Sequence, residues 1–510
     1  MKAALLALLL LMVPAQAESV LNRGNGAEPD SLDPAFAGTT METNILGDLM
    51  VGLTTLDAAA RPVPGMADHW ETSADGLTWT FHLSKARWSD GTQVTAGDFL
   101  FAWRRLLDPK AASRGASSLW VIKNARAITA GALPTSSLGV AAPGPLTLKV
   151  TLEHPAPYLP ELLTLPAALP LPPKPSFKPG AYVSNGPYLL KTWIPGDHVT
   201  LVKNQRFADA AAVKIDTINY FPTTDTQAAL RRFRARELDM QTPLPTAEIP
   251  WLKANMPGAL HIMPSLALGY IAMNLRDPAL ADIRVRRALN LVYDREAVVG
   301  KVIKLGETPA YGYVPPGIAD YAGAPQLDFK AMPYPARLAL AKRLMQDAGY
   351  GPFNKLTLNY ATTGYPDSKR LAAVFQAMAR QVYVDVRITV SDYALLLRAM
   401  RLGQYQLGYA SWLADFDDAS NFLDLLRSGN AGNYAGYKNA KFDAAMAAAE
   451  REPDAHQRAR LLQAAERIAL ADMPWLPIRF LSQTEAVGSR VGGYVQNARD
   501  FNRSRWLWIK

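Results

Sequence analysis

Residues 410–426 read ASWLADFDDASNFLDLL and set four carboxylates, Asp415, Asp417, Asp418 and Asp424, in an otherwise apolar run. Acids so close together could hold a hard cation, divide nucleophilic and acid work between them, or singly await a positively charged ligand. Calcium asks for more than charge. A twelve-residue loop opening at Asp415 needs an oxygen ligand at 419, glycine at 420 and glutamate at 426. The chain supplies Ala419, Ser420 and Leu426, so that chemistry fails.

Asp415-Phe416-Asp417 after an apolar strand also matches the aspartate pair that some phosphoryl and haloacid hydrolases use as nucleophile and general acid. Those enzymes carry the pair beside their first strand, whereas here it lies four-fifths of the way along, without a second motif. An acid-cluster hydrolase is thus the alternative from another functional class. Other catalytic signatures are absent: no G-x-S-x-G elbow, no H-E-x-x-H and no G-x-x-x-x-G-K-[ST] loop. The histidines His69, His82, His154, His198, His261 and His456 show no metal-ligand spacing, and His82 reads as an exposed or hydrogen-bonded side chain among threonines. No catalytic residue, metal ligand or cofactor is expected. Among the aromatics, Trp79, Trp88 and Trp103 read as packing. Trp412, flanked by Ser411 and Asp415, reads instead as a ligand contact.

The elements that must position these residues are legible from periodicity. LTWTFHL alternates Leu77, Trp79, Phe81 and Leu83 against Thr78, Thr80 and His82, and LTLKVTL at 146–152 repeats the pattern. Helix spacing runs over 282–303, with Asp282 as N-cap, and over 335–348, ended by Gly349. The strand KLTLNY follows, then a helix near 366–380, the strand VRITV, a helix near 392–402 and the strand YQLGYASW. The acidic stretch leaves the carboxyl end of that last strand, where open α/β sheets bind ligands. Residues 166–180, PAALPLPPKPSFKPG, form a proline-rich connector and a candidate boundary. Mixed strands and helices predict α/β (mixed α+β) lobes.

The totals narrow the setting. Lys2, the apolar run Ala3–Val13 and Ala15-Gln16-Ala17 form a secretory signal peptide over 1–17, cut before Glu18. There is no cysteine, hence no disulfide and no lipid-anchoring thiol at a mature N-terminus, which predicts a freely diffusing periplasmic protein. A chain of 510 residues implies two or three domains. The formal charge of +9 is scattered rather than striped, so no nucleic acid partner is implied.

Several stretches together resemble one family. EPDSLDPAFAGTT, LMVGLTTLD, PVPGMADHWETSADGLTWTFHLSKARWSDGTQVTAGDFLFAWRRLLDP, SNGPYLLKTW, VRRALNLVYDRE, TPAYGYVPPG, AKRLMQDAGY, ASWLADFDDASNFL and VGGYVQNARDFNRSRWLWIK follow one another in its order. The chain is identified as a member of the family 5 extracellular solute-binding proteins, the peptide-binding components of ABC importers, and is most similar to periplasmic oligopeptide-binding proteins. The resemblance implies a periplasmic binding protein type 2 fold with an extra inserted domain and two main lobes joined by a hinge. Domain I would comprise 18–50, 172–273 and 479–510, domain II 51–171, and domain III 274–478, with the hinge crossings near 274 and 478. A monomer would close around a peptide and deliver it to an inner-membrane ABC permease, without enzymatic activity.

A site that accepts many peptides must read backbone and termini rather than side chains. The family's backbone partners match Ala37, Gly38, Thr39 and Thr40 on one side and Ser411, Trp412 and Leu413 on the other. Its carboxylate for the ligand α-ammonium matches Asp415. Tyr270, Tyr393 and Tyr409 are further pocket candidates, while Asp417 and Asp418 read as solvated or helix-capping acids. Where peptide-binding members often place basic side chains for the ligand carboxylate, this chain has Ile303, Ser368, Met400 and Tyr409, with Lys304 and Lys369 only adjacent. A modified peptide or a non-peptide cationic solute is therefore the alternative ligand.

Overall fold

The computed structural model describes residues 18–319, 321–499 and 501–510, so the signal peptide expected at 1–17 lies outside the described residues. The first alternating pattern forms the strand Thr78–Leu83, with Trp79, Phe81 and Leu83 buried and His82 turned outward. It belongs to a four-stranded antiparallel sheet ordered Ala67–Thr72, Thr78–Leu83, Thr147–Thr151, Val140–Gly144. Trp88 and Trp103 are fully buried and still satisfy their indole N–H groups, on Asp98 Oδ2 at 3.1 Å and Ala168 O at 3.0 Å. That is the condition for burying a tryptophan without cost.

The second half carries the site. Leu356–Thr363 pairs in parallel with Val384–Ser391 and with Leu407–Leu413, joined by the helices Pro366–Arg380 and Tyr393–Arg401. Leu407–Leu413 then pairs antiparallel with the long strand Leu260–Met273, which pairs antiparallel with Trp475–Val487. Beyond these, the same eleven-stranded sheet continues through Met240–Gln241 and Val20–Gly24 to an antiparallel end at Tyr188–Ile194. The two long strands leave one hydrophobic core and enter another. Leu266 to Met273 and Trp475 to Ile478 pack in a core spanning the second half, while Ala486 and Val487 belong to clusters formed with the first. Register shifts between Pro264 and Leu268 and between Gly269 and Tyr270 mark the changeover.

Two sequence expectations are corrected. The helical pattern at 282–303 is interrupted: Ile283–Val292 starts at the Asp282 cap and stops at Tyr293. Asp294 then re-caps the chain by accepting from the Ala297 N–H, so a short helix and a π-turn, Val298–Ile303, follow. Apolar spacing alone hid this restart. The histidines, unpaired by sequence spacing, are brought together once: His69 and His82 face each other across neighbouring strands. No helix among the described residues is long and apolar enough to cross a membrane.

Candidate functional site

The strand Leu407–Leu413 is held on both sides, by Leu260–Met273 along its whole length and by Leu356–Thr363 at its start. On that second side only Leu407 and Gly408 are paired, so Ser411 to Leu413 have no strand partner there. There Asn421, on the short helix Ser420–Leu423, uses one oxygen twice: Oδ1 accepts from Trp412 Nε1 at 2.7 Å and from the Asp415 N–H at 3.2 Å. One amide thereby fixes both the indole and the backbone carrying the carboxylate. Nothing in the spacing of Asn421 marks it as part of the site; its role follows only from the turn that folds it back.

Trp412 and Asp415 line a cavity of about 910 Å³. Its other walls include Trp120, Arg126 and His154 from the first half of the chain and Arg401 and Tyr434 from the second. Asp415 is exposed to solvent through this cavity, yet the protein around it pushes its carboxyl above the ordinary carboxylate range. Burial is the largest cause; a hydrogen bond from Asn421 and the charge of Arg499 act the other way. Among the described residues, no cation lies within ion-pair distance of Asp415. The site therefore offers an oriented, uncompensated carboxylate beside an indole, at a strand's carboxyl end.

The neighbouring acids differ. Asp418 is buried and paired by both oxygens with Arg458, and it also accepts from the Ser420 N–H at 2.9 Å. The solvated reading of Asp418 is corrected: it is a structural ion pair that also caps the turn. Arg458 lies 5.3 Å from the centre of the Tyr158 ring, which stacks on Phe416 at 4.4 Å. Asp417 is half-buried and accepts from the Ala319 N–H at 2.9 Å. Asp424 lines the cavity beside Arg427, and burial pushes it up to about 7.

The remaining candidates divide. Ser411 and Leu413 are exposed on the strand's free face, with backbone paired to Gly269 and Ala267. Gly38, Thr39 and Thr40 are exposed at the start of the helix Thr40–Leu49, outside the wall of this cavity. Thr39 is the N-cap: its N–H donates to Glu42 Oε2 at 2.8 Å and its hydroxyl donates to the same oxygen, so its side chain is engaged in the cap. Tyr393 is exposed at the start of its helix, and Tyr409 is half-buried with its hydroxyl accepting from Arg479 at 3.3 Å. Tyr270 is corrected: it is 1% exposed, stacked on Trp475 at 4.1 Å, and does not line this cavity. Its burial against Trp475 is a tertiary contact that the sequence around it does not show.

Ile303, Ser368 and Met400 are buried, and none is basic. Arg401, one residue beyond Met400 at the end of the helix Tyr393–Arg401, is exposed and lines the same cavity as Asp415. Among the described residues its guanidinium has no ion-pair partner. The cavity thus carries an uncompensated anion and an uncompensated cation.

Comparison with known proteins places a chain with this cleft among the solute-binding proteins. Residues 61–434 match the family described as Bacterial extracellular solute-binding proteins, family 5 Middle, and the chain belongs to that family. It is 34% identical over 489 residues to the periplasmic oligopeptide-binding protein OppA of Escherichia coli (strain K12), covering 94% of this chain and 90% of that one. It is 34% identical over 509 residues to the probable deoxycholate-binding periplasmic protein YgiS of the same organism, covering 98% and 95%. Among solved structures, the unliganded open form of the murein tripeptide-binding protein MppA superposes with a TM-score of 0.85 at 32% identity, covering 97% of this chain and 98% of that one. The Haemophilus influenzae OppA complex with the peptide RPPGFSPFR gives 0.81 at 30% identity, covering 97% and 99%. The mixed α/β architecture is that of these periplasmic binding proteins.

Proposed function

We propose that this chain is the periplasmic binding component of an ABC importer for short peptides, without enzymatic activity. The observation that carries this reading is the Asp415 carboxylate, uncompensated and held beside Trp412 in a cavity large enough for several residues. An α-ammonium enclosed there needs an opposite charge, because an unpaired buried ion loses more in desolvation than contacts restore. Asp415 supplies that charge. Ser411, Trp412 and Leu413 contribute backbone to an extended ligand, and closure about the two long strands brings the Gly38–Thr40 segment onto it. Arg401 receives the carboxylate, the function for which Ile303, Ser368, Met400 and Tyr409 offer no charge.

The names of the relatives leave two ligand chemistries to compare. OppA and MppA are named for peptides, whereas YgiS is named for deoxycholate, an anion. A bile-acid carboxylate has no use for Asp415, and the ammonium of a peptide does. The reading is tested by titrating the mature protein with tri- and tetrapeptides, with deoxycholate and with an amino-acid mixture, following tryptophan fluorescence and heat. Saturable binding of the peptides alone supports it. Binding of deoxycholate without peptides would transfer the site to a different solute.

A further inference from the structure

The outward face of the four-stranded sheet carries a second group of polar side chains, none of which lines the peptide cavity. His69 and His82 are register partners on neighbouring strands, with rings stacked at 4.5 Å and planes 10° apart. Glu71 lies two residues beyond His69, so the pleat sends it to the same face. Its Oε1 is 3.7 Å from His82 Nε2. That nitrogen is covered by protein and has no hydrogen-bond partner. A polar atom enclosed without a partner calls for an explanation, because its desolvation is uncompensated.

One donor atom from each of the three side chains lies within 4.8 Å of the other two. Two ligands about 2.1 Å from a tetrahedral ion stand about 3.4 Å apart. Small rotations therefore bring the set to bonding geometry, and His69 and Glu71 are exposed enough to make them. We propose that His69, Glu71 and His82 bind a divalent transition-metal ion. Two imidazoles and one carboxylate form a donor set suited to zinc, nickel or copper rather than to calcium or magnesium, which prefer all-oxygen shells. Water completes the coordination. The register shift between Ala67 and His69 sets the histidine opposite His82 instead of one residue out of step. The ion would join the edge strand Ala67–Thr72 to its inner neighbour, an edge otherwise held on one side only. The one nearby cation on this face of the next strand is Lys149, opposite Thr80 and hence one strand beyond the pair.

The test is calorimetric titration of zinc chloride into tag-free mature protein, stripped of metal with chelator and dialysed into a non-coordinating buffer at neutral pH. The expected result is one ion per chain with micromolar affinity, weakened at least about tenfold in His69→Ala and in His82→Ala. Thermal melts without zinc establish that these variants fold, and zinc should raise the melting temperature of the wild type but not of the double variant. No heat up to millimolar zinc, or the same affinity in the His69→Ala/His82→Ala protein, would overturn the assignment.

Discussion

Replacing Asp415 by asparagine keeps the shape of the side chain and removes its charge, which isolates the part of binding assigned to the ligand ammonium. Two unit charges about 4 Å apart attract by about 4 kcal/mol at an effective dielectric of about 20. Truncating one member of a hydrogen-bonded charge pair costs about 2–5 kcal/mol in measured complexes. Asp415 remains open to solvent through its cavity, so the lower part of that range applies, about 2–3 kcal/mol. At about 1.4 kcal/mol per decade, affinity for a free-amino tetrapeptide falls about 30- to 150-fold. The assay is a cycle: wild type and Asp415→Asn, each titrated with the tetrapeptide and with its N-acetylated form. Acetylation should cripple binding to the wild type and cost the variant little further. Burial raises the Asp415 carboxyl above its unfolded value, so ionisation opposes folding as pH rises through that interval. The ligand-free variant should therefore melt no lower than wild type at pH 7.5. Equal losses on acetylation in both proteins would refute the ammonium contact.

Arg401→Gln should erase the preference of the wild type for a peptide acid over its C-terminal amide, measured by calorimetry, while leaving the effect of N-acetylation intact. Asn421→Ala frees both Trp412 Nε1 and the Asp415 backbone, so affinity should fall about tenfold and stability by about 1 kcal/mol, the worth of a typical hydrogen bond. Tyr270→Phe, buried on Trp475 and outside the cavity lining, should leave peptide affinity unchanged in the same titration. Glu307 and Glu466 are buried and pushed up to about 7. Between about pH 7 and their unfolded pKa near 4.5 the folded state holds more protons than the unfolded one, so these two groups add stability as pH falls. A melting temperature higher at pH 5.5 than at pH 8 in the ligand-free protein is the expected sign, read by circular dichroism.

Periodicity was enough to place the strand–helix succession after residue 280, because the alternating strands and amphipathic helices each bury one face of a layered fold. It also set Asp415 at a strand's carboxyl end, where the structure holds it. What it could not carry was anything made by tertiary contact. Asn421 becomes a site residue because a turn returns it to Trp412, and Asp418 becomes buried because Arg458 arrives from a helix forty residues later. Arg401 was overlooked beside Met400, since which of two consecutive helical residues faces the cavity depends on how the helix Tyr393–Arg401 docks. Tyr270 is buried by its contact with Trp475, and the meeting of His69 with His82 depends on a register shift, neither of which has a residue-level signature here. The restart of the helix at Asp294 is the exception, because an aspartate three residues before a bonded N–H could have been read as a cap.

The most direct test of a peptide site is the identity of what the protein retains. The mature chain would be isolated under native conditions, its ligand released with denaturant, and the released material sequenced by mass spectrometry from the wild type and from Asp415→Asn. The wild type should yield a distribution of short peptides with free amino termini, and the variant should yield far less. A single non-peptide compound, recovered equally from both proteins, would contradict the account.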